Sequence, residues 1–311
     1  MSVLDLRRRF RNGELTRHQY IDGMYAAHQD LFGYAALLDG TDIAEITVAD
    51  REVRFRTRED GLVFAADRAD KRIAPIEILN FGRYEPGDRE VLLSCARPGG
   101  VAIDVGANIG YYALSLAKRM PGGVVHAFEP VPAVFADLER NVRLNAVDNV
   151  RTWRMGLGDA AGDLVFQVDP DYCTRTSMGG LGDPSLPTIT CPVVRLDDFV
   201  QNAGIARVDL IKADVEGAEL LVIRGGIETI RRDKPAIFLE MLRKWSARFD
   251  YHPNDIIALL AGLGYRCQAV TDGGLRPFSL MDDATVETNF LFLVPPPPPS
   301  VGEGRGGGLT G

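Results

Sequence analysis

The chain has 311 residues, of which 46% are hydrophobic and 25% charged, and it carries a formal net charge of −8. This composition is ordinary for a globular protein, and the length predicts one large core with an added segment. The acidic balance argues against a protein whose main task is to bind nucleic acid or an anionic membrane surface.

The first part of the chain combines helical and strand patterns. Apolar residues recur at helical spacing over residues 3–38, and Thr16 is placed to cap a helix that follows it. Residues 43–66 alternate apolar and polar side chains, which predicts short strands. We therefore expect residues 1–75 to form an N-terminal appendage of helices and strands.

The expected compartment follows from the leader region and the cysteines. The charged first residues lack the apolar core of a secretory signal, and no run of about eighteen apolar residues occurs. Cys95, Cys173, Cys191 and Cys267 are far apart and form no C-x-x-C pair. Such spacing is typical of reduced thiols rather than of a disulfide framework or a zinc site. We expect a cytoplasmic protein without a membrane span.

From residue 101 onward, short β-branched runs alternate with helical patterns. The predicted strands are 101–105, 124–128, 150–155, 208–214, 236–241, 265–270 and 289–294. The predicted helices are 111–119, 132–146, 218–232 and 253–264. This alternation predicts a doubly wound α/β fold, with a mostly parallel sheet that helices cover on both faces. We assign residues 76–294 to this main domain.

Two segments depart from the alternation. Residues 160–195 contain two strand-like pieces around a stretch rich in Gly, Pro, Ser and Thr, which predicts a β-hairpin insertion whose connection, 169–188, is a mobile lid. Residues 295–311 are a run of prolines followed by glycines, which predicts a disordered tail.

A glycine-rich turn is the clearest candidate for a ligand site. The sequence D-V-G-A-N-I-G, residues 104–110, directly follows a predicted strand and opens a predicted helix. Glycine in this first turn lets a ligand approach the backbone at the carboxyl end of the sheet. Glu129 ends the next strand, where a carboxylate can accept both hydrogen bonds of a ribose diol. Together these features predict a nucleoside-like ligand.

The loop sequence favours one cofactor over another. A dinucleotide site has G-x-G-x-x-G, whereas this chain has Asn108 at the middle glycine position and Tyr111 at the third. Asp104 would repel a pyrophosphate but would attract the sulfonium and ammonium groups of S-adenosylmethionine. The pattern therefore favours S-adenosylmethionine over NAD(P). A glycine turn that binds nothing is the remaining alternative.

Several motifs follow one another in a family-like order over residues 80–294. They are Y-E-P (84–86), D-V-G-A-N-I-G (104–110), F-E-P (128–130), L-x-x-N-V-x-L-N (138–145) and I-K-A-D-V-E-G-A-E (211–219). In this order and spacing the chain resembles the FkbM-type methyltransferases. The resemblance implies a class I, Rossmann-like methyltransferase fold that uses S-adenosylmethionine. It also implies an acceptor hydroxyl on a sugar, polyketide or related small molecule.

The same resemblance implies roles for individual residues. Gly106, Asn108 and Gly110 would line the methionine part of the cofactor, and Glu129 would hold its ribose. Asp159 occupies the position at which class I enzymes often bind the adenine amino group. Its sequence context, D-A-A-G, is equally typical of an ordinary turn.

A second group of carboxylates follows the fourth and fifth predicted strands of the main domain. Asp214, Glu216 and Glu240 end or follow these strands, so we expect them in the cleft that receives the acceptor. Methyl transfer to a neutral hydroxyl gains from a base that takes its proton. We hypothesise that Asp214 or Glu216 is this base, with Lys212 as the alternative if burial lowers its pKa. Glu216 has a second interpretation, as a cap of the following helix.

The sequence after the fourth strand also bears on the acceptor and on metals. Amine and nucleobase methyltransferases commonly have N/D-P-P-Y/F there, whereas this chain has D-V-E-G at 214–217, which favours oxygen as the acceptor atom. The carboxylate spacing matches no calcium loop, so we predict no metal. We predict an O-methyltransferase for a small-molecule or glycan acceptor, with no nucleic acid partner. The alternatives are an N-methyltransferase, an NAD(P)-linked oxidoreductase and a non-catalytic nucleoside-binding protein.

Overall fold

A computed structural model describes residues 1–50, 52–65, 70–168, 176–177 and 183–295. Within them, the helices are α1 (Val3–Arg11), α2 (Arg17–Leu37), α3 (Ala74–Phe81), α4 (Pro86–Ser94), α5 (Tyr111–Arg119), α6 (Pro132–Asn145), α7 (Leu196–Asn202), α8 (Glu219–Gly225), α9 (Ile227–Asp233), α10 (Arg243–Ser246), a short 3-10 turn (Ala247–Phe249) and α11 (Pro253–Gly262).

The strands of the same ranges complete the fold. They are β1 (Ile43–Ala49), β2 (Glu52–Thr57), β3 (Val63–Ala65), β4 (Val101–Val105), β5 (Val124–Phe128), β6 (Val150–Trp153), β7 (Gly156–Gly158), β8 (Gly162–Val168), β9 (Thr176–Ser177), β10 (Thr188–Arg195), β11 (Leu210–Ala213), β12 (Ala236–Glu240), β13 (Arg266–Thr271), β14 (Gly274–Phe278) and β15 (Asn289–Leu293).

The main sheet has the strand order β14-β13-β15-β12-β11-β4-β5-β6. Neighbouring strands from β12 to β6 are parallel, whereas β15 runs antiparallel to both β12 and β13. Strand β5, which follows β4 in the chain, lies on one side of β4, and β11, which comes later, lies on its other side. The strand order therefore reverses at β4. Ligands of such sheets bind at the carboxyl ends of the strands beside this switch point. The predicted doubly wound, mostly parallel α/β fold is confirmed.

Helices cover both faces of the main sheet. One hydrophobic cluster joins Leu114 of α5 and Leu138 of α6 to the sheet, and a second joins Leu220 of α8 and Ile257 of α11 to the opposite face. These strands are buried on both faces, which explains why their sequences are continuous apolar runs without alternation.

The N-terminal segment divides into two parts. Thr16 caps α2 in a reciprocal arrangement with Gln19, as the sequence predicted, yet α2 has no buried residue. In contrast, β1, β2 and β3 form an antiparallel sheet whose Phe64 belongs to the same hydrophobic cluster as α5 and α6. The side chain of Asn141 in α6 accepts the N–H of Ala65 at 3.0 Å. The small sheet of β1, β2 and β3 is therefore built into the core of the main domain.

The insertion contains the predicted hairpin. Strands β8 and β10 pair antiparallel over six residue pairs, and β7 extends this small sheet along the other side of β10. Most of the connection predicted to be a lid, 169–188, lies outside the described residues, as does the tail from 296 onward.

One predicted helix, 218–232, is in fact two. Helix α8 ends at Gly225 and α9 begins at Ile227, because the backbone breaks at Gly226. A Cβ on Gly225 would lie 1.9 Å from the carbonyl oxygen of Gly158, so α8 packs directly against the backbone of β7. The hairpin β13–β14 is also absent from the sequence-based prediction.

Candidate active site

A cleft of about 400 Å³ opens at the carboxyl ends of β4, β5, β11 and β12. Its wall includes Gly106 and Asn108 after β4, Glu129 after β5, Asp214 after β11 and Glu240 at the end of β12. These residues come from distant parts of the sequence, and the parallel sheet brings them to one edge. The cleft is where the sequence predicted a ligand site.

The loop after β4 requires glycine where it meets the loop after β11. Gly106 has a φ of +76°, and a Cβ there would lie 2.0 Å from the carbonyl oxygen of Asp214. Asn108 also adopts a left-handed backbone, with φ +50°, which asparagine tolerates better than most residues. Gly110, with φ +92°, begins α5 against Leu138 and is not part of the cleft wall.

Glu129 holds the glycine loop and also faces the cleft. Its Oε2 accepts the N–H of Asn108 at 3.1 Å, and its Oε1 accepts the N–H of Val131 at 2.9 Å. Burial raises the pKa of Glu129 to about 7, while these two N–H groups oppose the rise. Each carboxylate oxygen has a second lone pair, so both remain able to accept a ribose hydroxyl.

Asp104 lies beneath the cleft rather than in its wall. It is fully buried, and its Oδ1 lies 3.4 Å from the Nζ of Lys212. The two residues are direct neighbours across the β4–β11 pair. The ammonium group that Asp104 meets is therefore one of the protein's own, and its proposed direct attraction of a cationic cofactor is corrected accordingly.

Lys212 connects three parts of the site through its buried ammonium. Besides Asp104, its Nζ donates to the carbonyl oxygen of Gly106 at 3.1 Å and lies 3.8 Å from Oδ2 of Asp214. Burial alone would lower the pKa of Lys212, but the neighbouring carboxylates outweigh this effect and raise it. The condition under which Lys212 would act as a base, a lowered pKa, is not met.

The three carboxylates expected near the acceptor do meet in the cleft. Asp214, Glu216 and Glu240 all line it. Burial raises the pKa of Glu240 well above its ordinary value, and the negative charges of Asp214 and Glu216 raise it further. Like charges at close range favour a shared proton. The cluster therefore provides proton-accepting groups beside the cleft.

A nearby glutamate, Glu219, holds the backbone of the loop that carries Asp214 and Glu216, whereas Glu216 does not cap the following helix. Oε1 of Glu219 accepts the N–H groups of Val215 and Gly217, at 2.9 and 3.2 Å. The hydroxyl of Tyr251 donates to Oε2 of Glu219 at 3.3 Å. Helix α8 begins after Ala218 without a side-chain cap. Glu219 thus fixes the loop that carries Asp214 and Glu216.

Comparison with known protein families shows which family contains this cleft. A model of the methyltransferase FkbM domain matches residues 104–267, which is more than half of the chain and contains the loop, Glu129 and the carboxylates after β11 and β12. The chain belongs to the FkbM methyltransferase family. The predicted family resemblance is confirmed.

Individual curated relatives match part of the chain. Methyltransferase 1 of Beauveria bassiana is 35% identical over 40% of this chain and 57% of its own length. The 31-O-demethyl-FK506 methyltransferase FkbM of Streptomyces tacrolimicus is 33% identical over 57% of this chain and 76% of its own length. The hexuronic acid methyltransferase AglP of Haloferax volcanii is 32% identical over 45% of this chain and 56% of its own length.

A solved structure, methyltransferase FkbM from Methylobacillus flagellatus, aligns with 73% of this chain and 55% of its own at 18% identity and a TM-score of 0.40. The chain therefore spans little more than half the length of several relatives that it matches.

Asp159 stands apart from the rest of the predicted site. It is exposed in the bend after β7 and is not part of the cleft wall. This position agrees with its interpretation as a turn residue. Its assignment to the adenine amino group remains a prediction that the cleft wall does not support.

The cleft also contains residues that the sequence did not single out. Tyr84 and Glu85 of the Y-E-P motif, Tyr112, Phe166 of β8 and Trp245 all line it. The hydroxyl of Tyr112 donates to Oε2 of Glu85 at 2.6 Å. The Y-E-P motif was a usable signal, since it is part of the FkbM pattern. Phe166 and Trp245 lie in segments without a motif.

Neither a metal site nor a membrane helix is found in the described part of the chain. None of its His, Cys, Asp and Glu residues form a group of three or more that could hold a metal ion. Each described helix is too short or too polar to cross a bilayer.

Proposed function

We propose that this chain transfers a methyl group from S-adenosylmethionine to a hydroxyl of a sugar or natural-product acceptor. The observation that carries the proposal is the acid-lined cleft itself, in which a glycine loop, Glu129 and the carboxylates of β11 and β12 meet at the switch point of an FkbM-family sheet. The cofactor, when bound, supplies a methyl group on a positively charged sulfur.

The residues of the cleft fit a nucleoside cofactor with a cationic end. Glu129 is oriented by two backbone N–H groups and retains acceptor capacity for a ribose diol. The carboxylates in the wall outnumber the positive side chains, with Glu85, Glu129, Asp214, Glu216 and Glu240 against Arg72, Lys212 and Lys244. Above about pH 7, where Glu129 is ionised, this excess of carboxylates attracts sulfonium and ammonium groups and disfavours the pyrophosphate of NAD(P).

The proton of the acceptor hydroxyl goes to a carboxylate in this proposal. Glu240 is the strongest candidate, because burial and neighbouring negative charges raise its pKa, and its ionised form is then a stronger base than an ordinary carboxylate. Asp214, which follows the neighbouring strand and also lines the cleft, is the second candidate. Lys212 stays protonated and holds Asp214 and the loop carbonyl of Gly106 in place.

Oxygen is the acceptor atom that the sequence and the relatives favour. The segment after β11 reads D-V-E-G and lacks the aromatic residue with which amine methyltransferases hold a planar amino group. The Streptomyces relative is named for methyl transfer to an oxygen, and the Haloferax relative for a sugar acid. Both names support a hydroxyl-bearing acceptor for this chain.

Calorimetry with S-adenosylhomocysteine and with NAD⁺ tests the cofactor. We expect S-adenosylhomocysteine to bind and NAD⁺ not to bind. Glu129→Gln should weaken the binding at least about tenfold, since a hydrogen bond to a charged group contributes about 1.5–3 kcal/mol. Glu139→Gln, on α6 and outside the cleft wall, is the matched control. Binding of NAD⁺ alone would overturn the proposal.

Substitution of the carboxylates tests the base. Release of S-adenosylhomocysteine would be measured with a panel of monosaccharides, oligosaccharides and hydroxylated macrolides. Glu240→Gln should lower turnover by about 10²–10⁴ and leave the dissociation constant of S-adenosylhomocysteine nearly unchanged. Asp214→Asn is measured in parallel. If both variants retain full turnover, neither carboxylate is the base.

A further inference from the structure

A second cavity, of about 590 Å³, lies beside the active-site cleft. Tyr84 and Tyr111 line both spaces, and their rings meet edge to face at 4.9 Å. Along the chain, Glu85 lines the first space and Pro86 the second. The segment 84–86 is therefore a ridge between them. The far wall of the second cavity comes from the loops next to β1 and β2, within the N-terminal segment.

One buried arginine of the second cavity has an unused donor. The side chain of Arg89 is only 8% exposed, and its Nη1 lies 2.9 Å from Oε1 of Glu59. Its Nη2 pairs with Asp60. The Nε–H of Arg89 is buried and has no hydrogen-bond acceptor in the structure. A buried donor without an acceptor is costly, so Arg89 adds to the positive charge of the cavity wall at an expense to the fold.

Among the described residues, three further arginines of this cavity have no carboxylate partner. The side chains of Arg83 and Arg119 are exposed and make neither an ion pair nor a hydrogen bond there. Arg58 donates only to backbone carbonyl oxygens, among them those of Thr41 and Ile43. All three therefore keep a full positive charge at the cavity.

The carboxylates of the cavity are largely engaged within the protein. Glu59 pairs with Arg89, and Oδ1 of Asp42 accepts the N–H of Glu59 at 2.9 Å. Glu90 is exposed on α4 and has no such contact among the described residues. Most of the hydrogen-bonding groups of the cavity that remain available to a ligand are therefore guanidinium donors. Guanidinium groups bind carboxylates and phosphates in a bidentate manner.

We propose that the second cavity binds an anionic group of the methyl acceptor, a carboxylate or a phosphate, through the guanidinium groups of Arg83 and Arg119, with Arg58 and Arg89 in the same wall. The acceptor then passes over the ridge at Tyr84, and its hydroxyl reaches the carboxylates of the first cleft. The inference rests on the proposed function, because it names the substrate class for the same site. It also gives the N-terminal sheet a role as one wall of the acceptor site.

The ridge at Tyr84 borders both the first cleft and the second cavity, so one acceptor molecule can extend from one to the other. Tyr84 lines the first cleft together with Asp214 and Glu240. Burial raises the pKa of its hydroxyl, and the charges of the neighbouring carboxylates raise it further. Its ring contacts Tyr111, which lines the second cavity as well. One side chain thus borders both the proton-accepting cluster and the arginine cavity.

Ligand binding to the full chain, saturated with S-adenosylhomocysteine, tests the proposal. The probes are inorganic phosphate, D-glucuronate and, as the neutral control, D-glucose, each followed by calorimetry or ligand-observed NMR. At least one of the two anions should bind more tightly than glucose. Preference for phosphate indicates a phosphorylated acceptor, and preference for glucuronate indicates a carboxylated one.

Variants on the surface of the cavity give the decisive comparison. Arg83→Ala with Arg119→Ala should weaken anion binding at least tenfold, and Glu90→Gln should strengthen it. Arg97→Ala with Arg266→Ala removes two exposed arginines outside both cavities and should change nothing. The affinity for S-adenosylhomocysteine should stay the same in all variants.

Three results would overturn the inference. They are failure of both anions to bind, equal anion affinity in the Arg83→Ala, Arg119→Ala variant, and displacement of the anion by S-adenosylhomocysteine. The last result would place the anion in the first cleft. Failure of S-adenosylhomocysteine itself to bind would instead contradict the proposed function, so the two failures are distinguishable.

Discussion

Lys212 joins the two halves of the cleft through a buried side chain. Its ammonium contacts Asp104 of β4, the loop carbonyl after β4 and Asp214 after β11, and its Nζ lies 5.4 Å from the centre of the Tyr112 ring. A buried charge of this kind is tolerated only when its partners compensate it. Lys212 therefore acts on the site by fixing positions and charge rather than by moving a proton.

Removal of this ammonium should strongly destabilise the protein near pH 8. Lys212→Met leaves the fully buried carboxylate of Asp104 without its partner, and the expected loss in free energy of unfolding is about 3–5 kcal/mol. Adding Asp104→Asn should restore most of it, because no buried charge then remains unpaired. The measurement is urea unfolding at pH 8.

An exposed lysine provides the control for this prediction. Lys118→Met, on the surface of α5, should change stability by no more than about 0.5 kcal/mol. A double variant that is no more stable than Lys212→Met alone would show that the Lys212–Asp104 pair is not the cause of the loss.

The residues of the site differ in how far sequence could predict them. Glu129 and Asp214 follow strands directly, so their place at the sheet edge follows from the strand pattern. Asp104 was misplaced because its partner, Lys212, lies on a strand far along the chain. Only the register of β4 against β11 makes them neighbours, and sequence periodicity does not reveal that register.

At the scale of elements, the largest departure from the predicted helices is the division of 218–232 into two. Close contact of its glycines with other elements explains this division. The periodicity of residues 218–232 is helical throughout, and local propensity gives no reason to divide it at Gly226. The division depends on packing of Gly225 against Gly158, and of Gly226 against Leu196, from elements distant in the chain. Tertiary contacts of this kind override a local pattern.

Substitution by alanine should have opposite effects on stability at a helical glycine that is packed against another element and at one that is not. Gly225→Ala places a Cβ 1.9 Å from the carbonyl oxygen of Gly158 and should cost about 1–3 kcal/mol or more. Gly33→Ala in α2 meets nothing within 4 Å and should stabilise the protein by about 0.5–1 kcal/mol. Denaturant unfolding of both variants measures the difference. Equal effects would contradict the packing explanation.

Over the whole molecule, the main domain begins earlier in the chain than its motifs do. The sequence marked residues 1–75 as an appendage, because the strand–helix alternation begins only near residue 101. Yet Phe55 and Phe64 are buried in the same cluster as Leu114 and Leu138, and Asn141 bonds the backbone of β3. These contacts join residues far apart in sequence, so composition and periodicity alone could not predict them.

The buried acids of the whole fold predict how stability depends on pH. Burial raises the pKa of Asp88, Glu129 and Glu219 to about 7, above the ordinary values of 3.8 for Asp and 4.5 for Glu. Between the ordinary values and about 7, the folded chain holds protons that the unfolded chain has released. Their contribution to stability is therefore complete at low pH and is lost as pH rises through about 7. His126, whose pKa burial lowers to about 4, acts in the opposite direction below 6.5.

Because the raised pKa values of the buried acids outweigh the lowered pKa of His126, the protein should be less stable at pH 7.5 than at pH 5.5. Each acid contributes a slope of about 1.4 kcal/mol per pH unit inside its window, so the midpoint of thermal unfolding should fall over this range and level off above about pH 8. Glu219→Gln should make the fall shallower, because one raised carboxyl is removed. Glu228→Gln, on the surface of α9, should leave the slope unchanged. A midpoint that stays constant or rises between these two pH values would mean that burial does not hold Asp88, Glu129 and Glu219 in the protonated state at pH 5.5.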